Sequence, residues 1–164
     1  MGANRALAQE KSRVLGAMLP NDLGESARLQ TMLEVAFLAA ACDGELADAE
    51  IEHLVANLQS WIGKQLEASF LEDLFDQFAG HLSAEGAHAR LTSAARALDQ
   101  ESRRVAYRLA CVTALCDLDV RDEELRFLGT IADTFEIPPD QAQEIFDELD
   151  DAVTAALGGG GATE

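Results

Sequence analysis

Apolar residues recur along this chain at helical spacing. Leu29, Met32, Leu33, Ala36, Phe37 and Ala40 fall at i, i+3, i+4, i+7, i+8 and i+11, and Ile51, Leu54, Val55, Leu58 and Ile62 nearly repeat that order. Such spacing lines one face of a 3.6-residue helix. Alternation of period two is absent, so no strand is expected. The pattern predicts helices over roughly 3–19, 25–42, 48–63, 65–81, 84–98, 101–117, 122–136 and 139–156. Breaks fall at Pro20-Asn21-Asp22, Asp43-Gly44, near Gly63, at Ser83, near Asp99, at Leu118-Asp119 and at Ile137-Pro138-Pro139, where turn formers or prolines interrupt the period. Val35 to Cys42 and Leu109 to Cys116 are apolar almost all round, which suits the middle of a bundle, whereas the helices that follow each of them are one-sided covers. The predicted fold is all-α, a compact single-domain bundle of about seven or eight helices, with Phe37, Leu38, Leu54, Leu109, Leu115 and Leu128 buried.

The two central segments belong to a repeat. Residues 33–58 and 107–132 align without a gap at an offset of 74, with identities at Ala36/Ala110, Ala40/Ala114, Cys42/Cys116, Asp43/Asp117, Asp48/Asp122, Glu50/Glu124 and Leu54/Leu128. Packed helices share Ala and Leu by chance, but the polar spacing C-D-x-x-x-x-D-x-E needs a more particular cause. The bundle is therefore expected to carry an internal pseudo-twofold repeat. Residues 1–24 read as an N-terminal helix and linker, 25–157 as the repeat-containing domain, and 158–164, with Gly158 to Gly161, as a disordered tail.

Composition narrows the partners. The chain has 164 residues and a net charge of −18, and residues 32–164 hold eight bases against 27 acids. That field repels nucleic acid and anionic membrane surfaces and leaves divalent metal ions and basic protein faces as partners. Met1 to Pro20 lacks the apolar core of a signal peptide, and the longest uncharged apolar run is the eight residues Val35 to Cys42, too short for membrane insertion. A soluble cytoplasmic protein is expected. Cys42, Cys111 and Cys116 are odd in number and sit in apolar helical runs, as buried reduced thiols do.

Candidate chemistry concentrates where each repeat turns. The first corner carries Asp43, Glu45, Asp48 and Glu50, the second Asp117, Asp119, Asp122, Glu123 and Glu124. Glu50 and Glu124 each lie one turn before a core leucine, on the rim of the buried stripe. Capping alone accounts for them: Asp48 and Asp122 as N-caps, Glu50 and Glu124 favoured by the helix dipole. A second account adds a hard cation, Ca²⁺ or Mg²⁺, held by carboxylates converging from both corners. Asp117-Leu118-Asp119 begins like an EF-hand loop, but glycine is missing at its sixth position and Leu128 stands at the twelfth, where a bidentate Glu is required. His53, His81 and His88 share no metal spacing, Cys111 and Cys116 are five apart, and no phosphate loop, nucleophile elbow or dinucleotide fingerprint occurs. With aromatics at 5% and no lined cleft in view, a non-enzymatic role is expected and no catalytic residue is assigned. The last helix carries Asp140, Glu144, Asp147, Glu148, Asp150 and Asp151 without a base, a solvated face or a docking face for a basic protein.

The stretch Ala41-Cys42-Asp43-Gly44-Glu45-Leu46-Ala47-Asp48-Ala49-Glu50-Ile51-Glu52-His53-Leu54, echoed at 116–128, resembles the signature of TerB-like domains, named for tellurite resistance. The resemblance covers roughly 26–150 and implies a helical domain of two pseudo-symmetric repeats. Its shared acidic residues, proposed to bind a divalent cation, fall here on Asp43, Glu50, Asp117 and Glu124, with Asp48 and Asp122 beside them. It further implies a part in metal or tellurite stress. This chain departs from the pattern at Leu118, where the first repeat has Gly44; leucine tolerates a left-handed turn poorly, so the two corners are expected to differ in shape. The alternative to a cation-binding domain is a protein-interaction module, a scaffold or adaptor whose acidic corners only cap their helices.

Overall fold

In the computed structural model, which describes residues 2–19, 26–42, 48–62, 66–116 and 122–162, the two apolar segments form the central pair. The helices are α1 (Gly2–Ala17), α2 (Ser26–Ala40), α3 (Asp48–Ile62), α4 (Ala68–Glu85), α5 (Ala87–Ala97), α6 (Gln100–Leu115), α7 (Asp122–Thr134) and α8 (Pro139–Ala162). No strand occurs among the described residues. The most extensive helix contact is between α2 and α6. Every residue from Met32 to Ala39 and from Leu109 to Cys116 is buried, because a segment that is apolar almost all round can lose its surface on every side. Phe37, Leu38, Leu54, Leu109, Leu115 and Leu128 are all in the core. Full burial of such a side chain is worth about 1.5–3 kcal/mol. Phe37 also meets Phe75 and Phe78 of α4 at ring-centroid distances of 5.5 and 5.7 Å.

The breaks have local causes. Asp99 accepts a 2.8 Å hydrogen bond from the Ser102 N–H and so caps α6, which satisfies one of the donors a helix start leaves open. Helix α7 ends in a Schellman turn: the Ile137 N–H donates to the Ala132 carbonyl, the Glu136 N–H donates to the Asp133 carbonyl, and Glu136 takes φ +59°. Pro138 and Pro139 follow, and Pro139 opens α8 at a position where its missing N–H costs nothing. The expected break at Ser83 lies three residues later, at Gly86. That residue has φ +90°, open to glycine and strained for other residues. The glycine run that the sequence marks as a tail carries helical backbone here, since α8 extends to Ala162; each residue added to a long helix closes a further hydrogen bond.

Two polar seams fasten the shell. The Trp61 indole N–H donates to the carbonyl and hydroxyl of Ser12, both at 2.9 Å, and the Ser12 hydroxyl donates to the Asn57 side-chain carbonyl at 2.9 Å. These bonds join α1 to α3, and Leu15 of α1 is fully buried, so the N-terminal helix shares the core. The second seam holds the one carboxylate inside the buried run of α2. Glu34, flanked by Leu33 and Val35, takes both arms of the Arg90 fork at 2.7 and 3.0 Å, and Arg90 also reaches Glu85 at 3.1 Å. The Arg90 guanidinium is held firmly charged, first by its hydrogen bonds to Glu34. No buried side-chain polar atom among the described residues lacks a partner.

Candidate functional site

Each corner sits where a central helix hands over to its cover. The paired helices begin 74 residues apart: Ser26 and Gln100 open α2 and α6, and Asp48 and Asp122 open α3 and α7. Exchange of α1–α4 for α5–α8 maps most helix contacts onto one another: α1–α3 onto α5–α7, α3–α4 onto α7–α8, α2–α4 onto α6–α8, α2–α5 onto α1–α6, and α1–α8 onto α4–α5. The exceptions concern α7. It packs on both α6 and α2, whereas α3 makes no comparable contact with α2 or α6.

That difference decides how the candidate carboxylates are placed. Glu50 and Glu124 both lie in a first helical turn. Glu124 is buried at 3% exposure, while Glu50 is exposed. The expectation of two equivalent rim carboxylates therefore needs correction at Glu50. Helix α3 stands off the central pair, so Ile51 is half-buried and Glu50 turns outward; α7 lies against it, so Glu124 turns in and Leu125 is 42% exposed. Asp48 and Asp122 are the first helical residues rather than flanking caps, and there a carboxylate acts on the helix dipole. Asp43 and Asp117, together with Gly44 and Leu118, lie outside the described residues. Among the described residues, no three His, Cys, Asp or Glu side chains gather as a metal group. His53 contacts Asn57 at 3.2 Å along its own helix.

Where α3 stands off, a cleft of about 910 Å³ opens between α2, α3 and α4. Its floor is Phe37, Leu38, Ile51 and Phe75. Its walls carry Asp48 and Glu52 from α3 and Glu72 and Asp76 from α4, all exposed. None of the four makes an ion pair among the described residues, and none of the described lining residues is basic. The helical apolar period of α3 predicts which residues it buries, but not that it packs less on the central pair than α7 does. A smaller cleft of about 420 Å³ lies between α6, α7 and α8, under Leu125, Leu128 and Phe146.

The thiols are not a reactive cluster. Cys42 is half-buried and Cys111 and Cys116 are buried, all three as free thiols. Burial pushes the Cys111 thiol up to about 12 and raises the neighbouring Tyr107 phenol as well.

A family model described as "Tellurite resistance protein TerB" matches residues 29–147. The chain belongs to the TerB family. The matched segment begins within α2 and ends within α8, so both corners and the larger cleft fall inside it. Helix α1 and the last turns of α8 lie outside, yet Leu15, Leu149 and Val153 are buried. The body of this TerB protein is thus completed by elements that flank the family segment. No curated protein and no solved structure matches the chain. No described helix is long and apolar enough to cross a membrane.

Proposed function

We propose that this TerB protein is a non-enzymatic domain that binds a divalent cation through the carboxylates of its two corners and serves in the response to metal or tellurite stress. Asp43 and Glu50 would hold the ion from the first corner and Asp117 and Glu124 from the second, with Asp48 and Asp122 adjacent. The observation that supports this reading is the acidic motif that the chain repeats, with Glu50 and Glu124 each in the first turn of a helix. The donor set is all oxygen, which suits a hard cation of flexible coordination, Ca²⁺ before Mg²⁺. When bound, such an ion would supply charge compensation and cross-linking of the corners. The family description supports the stress role.

Thermal unfolding after chelation, repeated with Ca²⁺, Mg²⁺ and Mn²⁺, tests the proposal. A cation at a hundred times its Kd adds about 2.7 kcal/mol, which raises Tm by about 5–11 °C for a chain of this size. Glu124→Gln and Asp117→Asn should abolish that increment. An unchanged Tm at millimolar cation would leave the corners with helix capping alone. A second reading, an interaction module, is favoured by the outward Glu50 and by the acid-walled cleft, and it needs no ion.

A further inference from the structure

We infer that the cleft between α2, α3 and α4 is a docking groove for one amphipathic helix of a partner protein, with an apolar stripe flanked on both sides by Lys or Arg. This inference does not depend on a cation at the corners. The groove is open for identifiable reasons. Ala79 and Ser83, one turn apart on α4, and Ala87 of α5 keep the wall low, and Ala41, just past the end of α2, leaves room at the floor. At the 74-residue offset of the repeat, Ala41 corresponds to Leu115. Leu115 is larger and buried, and the counterpart cleft between α6, α7 and α8 is smaller, about 420 Å³.

The charges select the occupant. Asp48 and Glu52 are spaced i, i+4 on one wall, and Glu72 and Asp76 have the same spacing on the other. Residues so spaced are neighbours about 5–6 Å apart along a helix surface. An acidic pair on each of two walls over an apolar floor matches a helix that buries its i, i+3, i+4, i+7 face and presents basic residues on each flank. The correspondence at position 52 sharpens this, because Arg126 stands at the offset position in the second half and the acidic row is not reproduced there. A helix also brings its own backbone hydrogen bonds, which an occupant needs in a groove walled by helices with no sheet edge to pair with. The four carboxylates have no ion pairs to break among the described residues, so a basic flank gains contact without displacing one.

The test uses the full chain and a fluorescein-labelled 14-residue leucine–lysine peptide whose leucines form one face when helical. Its control is a peptide of the same composition reordered so that no single apolar face forms. Fluorescence anisotropy should show the patterned peptide binding at least tenfold more tightly than the control. The triple variant Glu52→Gln/Glu72→Gln/Asp76→Asn should weaken it by at least tenfold. The variant Glu144→Gln/Asp147→Asn/Asp151→Asn, which removes the same charge from the exposed face of α8, should change it by less than twofold. Ala79→Arg, at an exposed position on the groove wall, should also weaken binding at least tenfold. Circular dichroism of each variant guards against unfolding. Equal losses from the groove and α8 variants would show diffuse charge attraction and overturn the groove. Equal binding of the two peptides would overturn the helical occupant, and so would competition by spermidine at concentrations comparable to the peptide, which would reassign the site to a polyamine.

Discussion

Removal of Arg90 should be the most damaging single change to a polar side chain in this protein. Glu34 is 7% exposed at its side chain and Arg90 16%, so both charges have left most of their water. Breaking a buried pair by deleting one partner costs about 3–5 kcal/mol, because the other charge is stranded. Arg90→Met strands Glu34 between Leu33 and Val35 on the central helix, and the residual exposure of the site argues for the lower end, about 3 kcal/mol. For a chain of this size that is a fall in Tm of about 6–12 °C. Glu34→Gln should cost less, about 1–2 kcal/mol, because the amide still accepts a hydrogen bond and Arg90 keeps Glu85. The double variant Glu34→Met/Arg90→Met should recover most of the loss, since apolar groups of similar volume replace such pairs almost neutrally. Urea unfolding at constant m-value measures all three. An Arg90→Met cost below about 1 kcal/mol, or a double variant as unstable as the single, would mean that the pair behaves as an exposed one and does not clamp α5 to α2.

Gly16 lies where α1 crosses Trp61, and a Cβ there would overlap the indole; Gly16→Ala should destabilise by about 1–3 kcal/mol in thermal unfolding, as overpacking does. Glu136→Gly should instead stabilise by about 0.5–1 kcal/mol, because the residue at φ +59° closes a Schellman turn that favours glycine. Cys111 gives a pH dependence of defined sign. Its folded value, raised from 9.0 to about 12 by burial, contributes stability that is complete below pH 9 and is lost as pH rises toward 12. Cys111→Ala should flatten that alkaline decline, with Tm against pH as the readout.

The architecture was legible because apolar periodicity and turn chemistry agree along the chain. The helix starts at Asp48 and Asp122 and the prolines after Ile137 could be read directly. A lone glycine after Ala84-Glu85 carries no partner breaker, so the apolar period alone places the break at Ser83 and not at Gly86. Glu34 is one acid among many in the sequence. Its signal was local: a single carboxylate inside a run that is otherwise apolar on every side requires a buried partner. The partner, Arg90, is 56 residues away and could not be read from spacing. The looser packing of α3 on the central pair was equally hidden, since a helical period fixes which face is buried and not how closely the helix packs.

The two halves start from one motif and end differently, and the difference can be reversed by design. In the second half α7 lies against α6, Glu124 is buried, and Leu115 fills the position that Ala41 holds in the first. Enlarging that residue and one on the wall, as Ala41→Leu/Ala79→Val, should narrow the cleft from its floor and wall. Burying each added methylene is worth about 0.8 kcal/mol when complete. Ala41 is buried but Ala79 is exposed, so only part of that gain is available, and a net rise of about 1–2 kcal/mol is expected. The same variant should bind the leucine–lysine peptide at least tenfold less tightly. A loss of about 1–3 kcal/mol would be the mark of overpacking, and it would mean that α3 already lies close to α2 in solution. Higher stability with unchanged peptide binding would place the peptide elsewhere on the acidic surface. Only higher stability with weaker binding agrees with a fold whose first half keeps the larger cleft open for a partner.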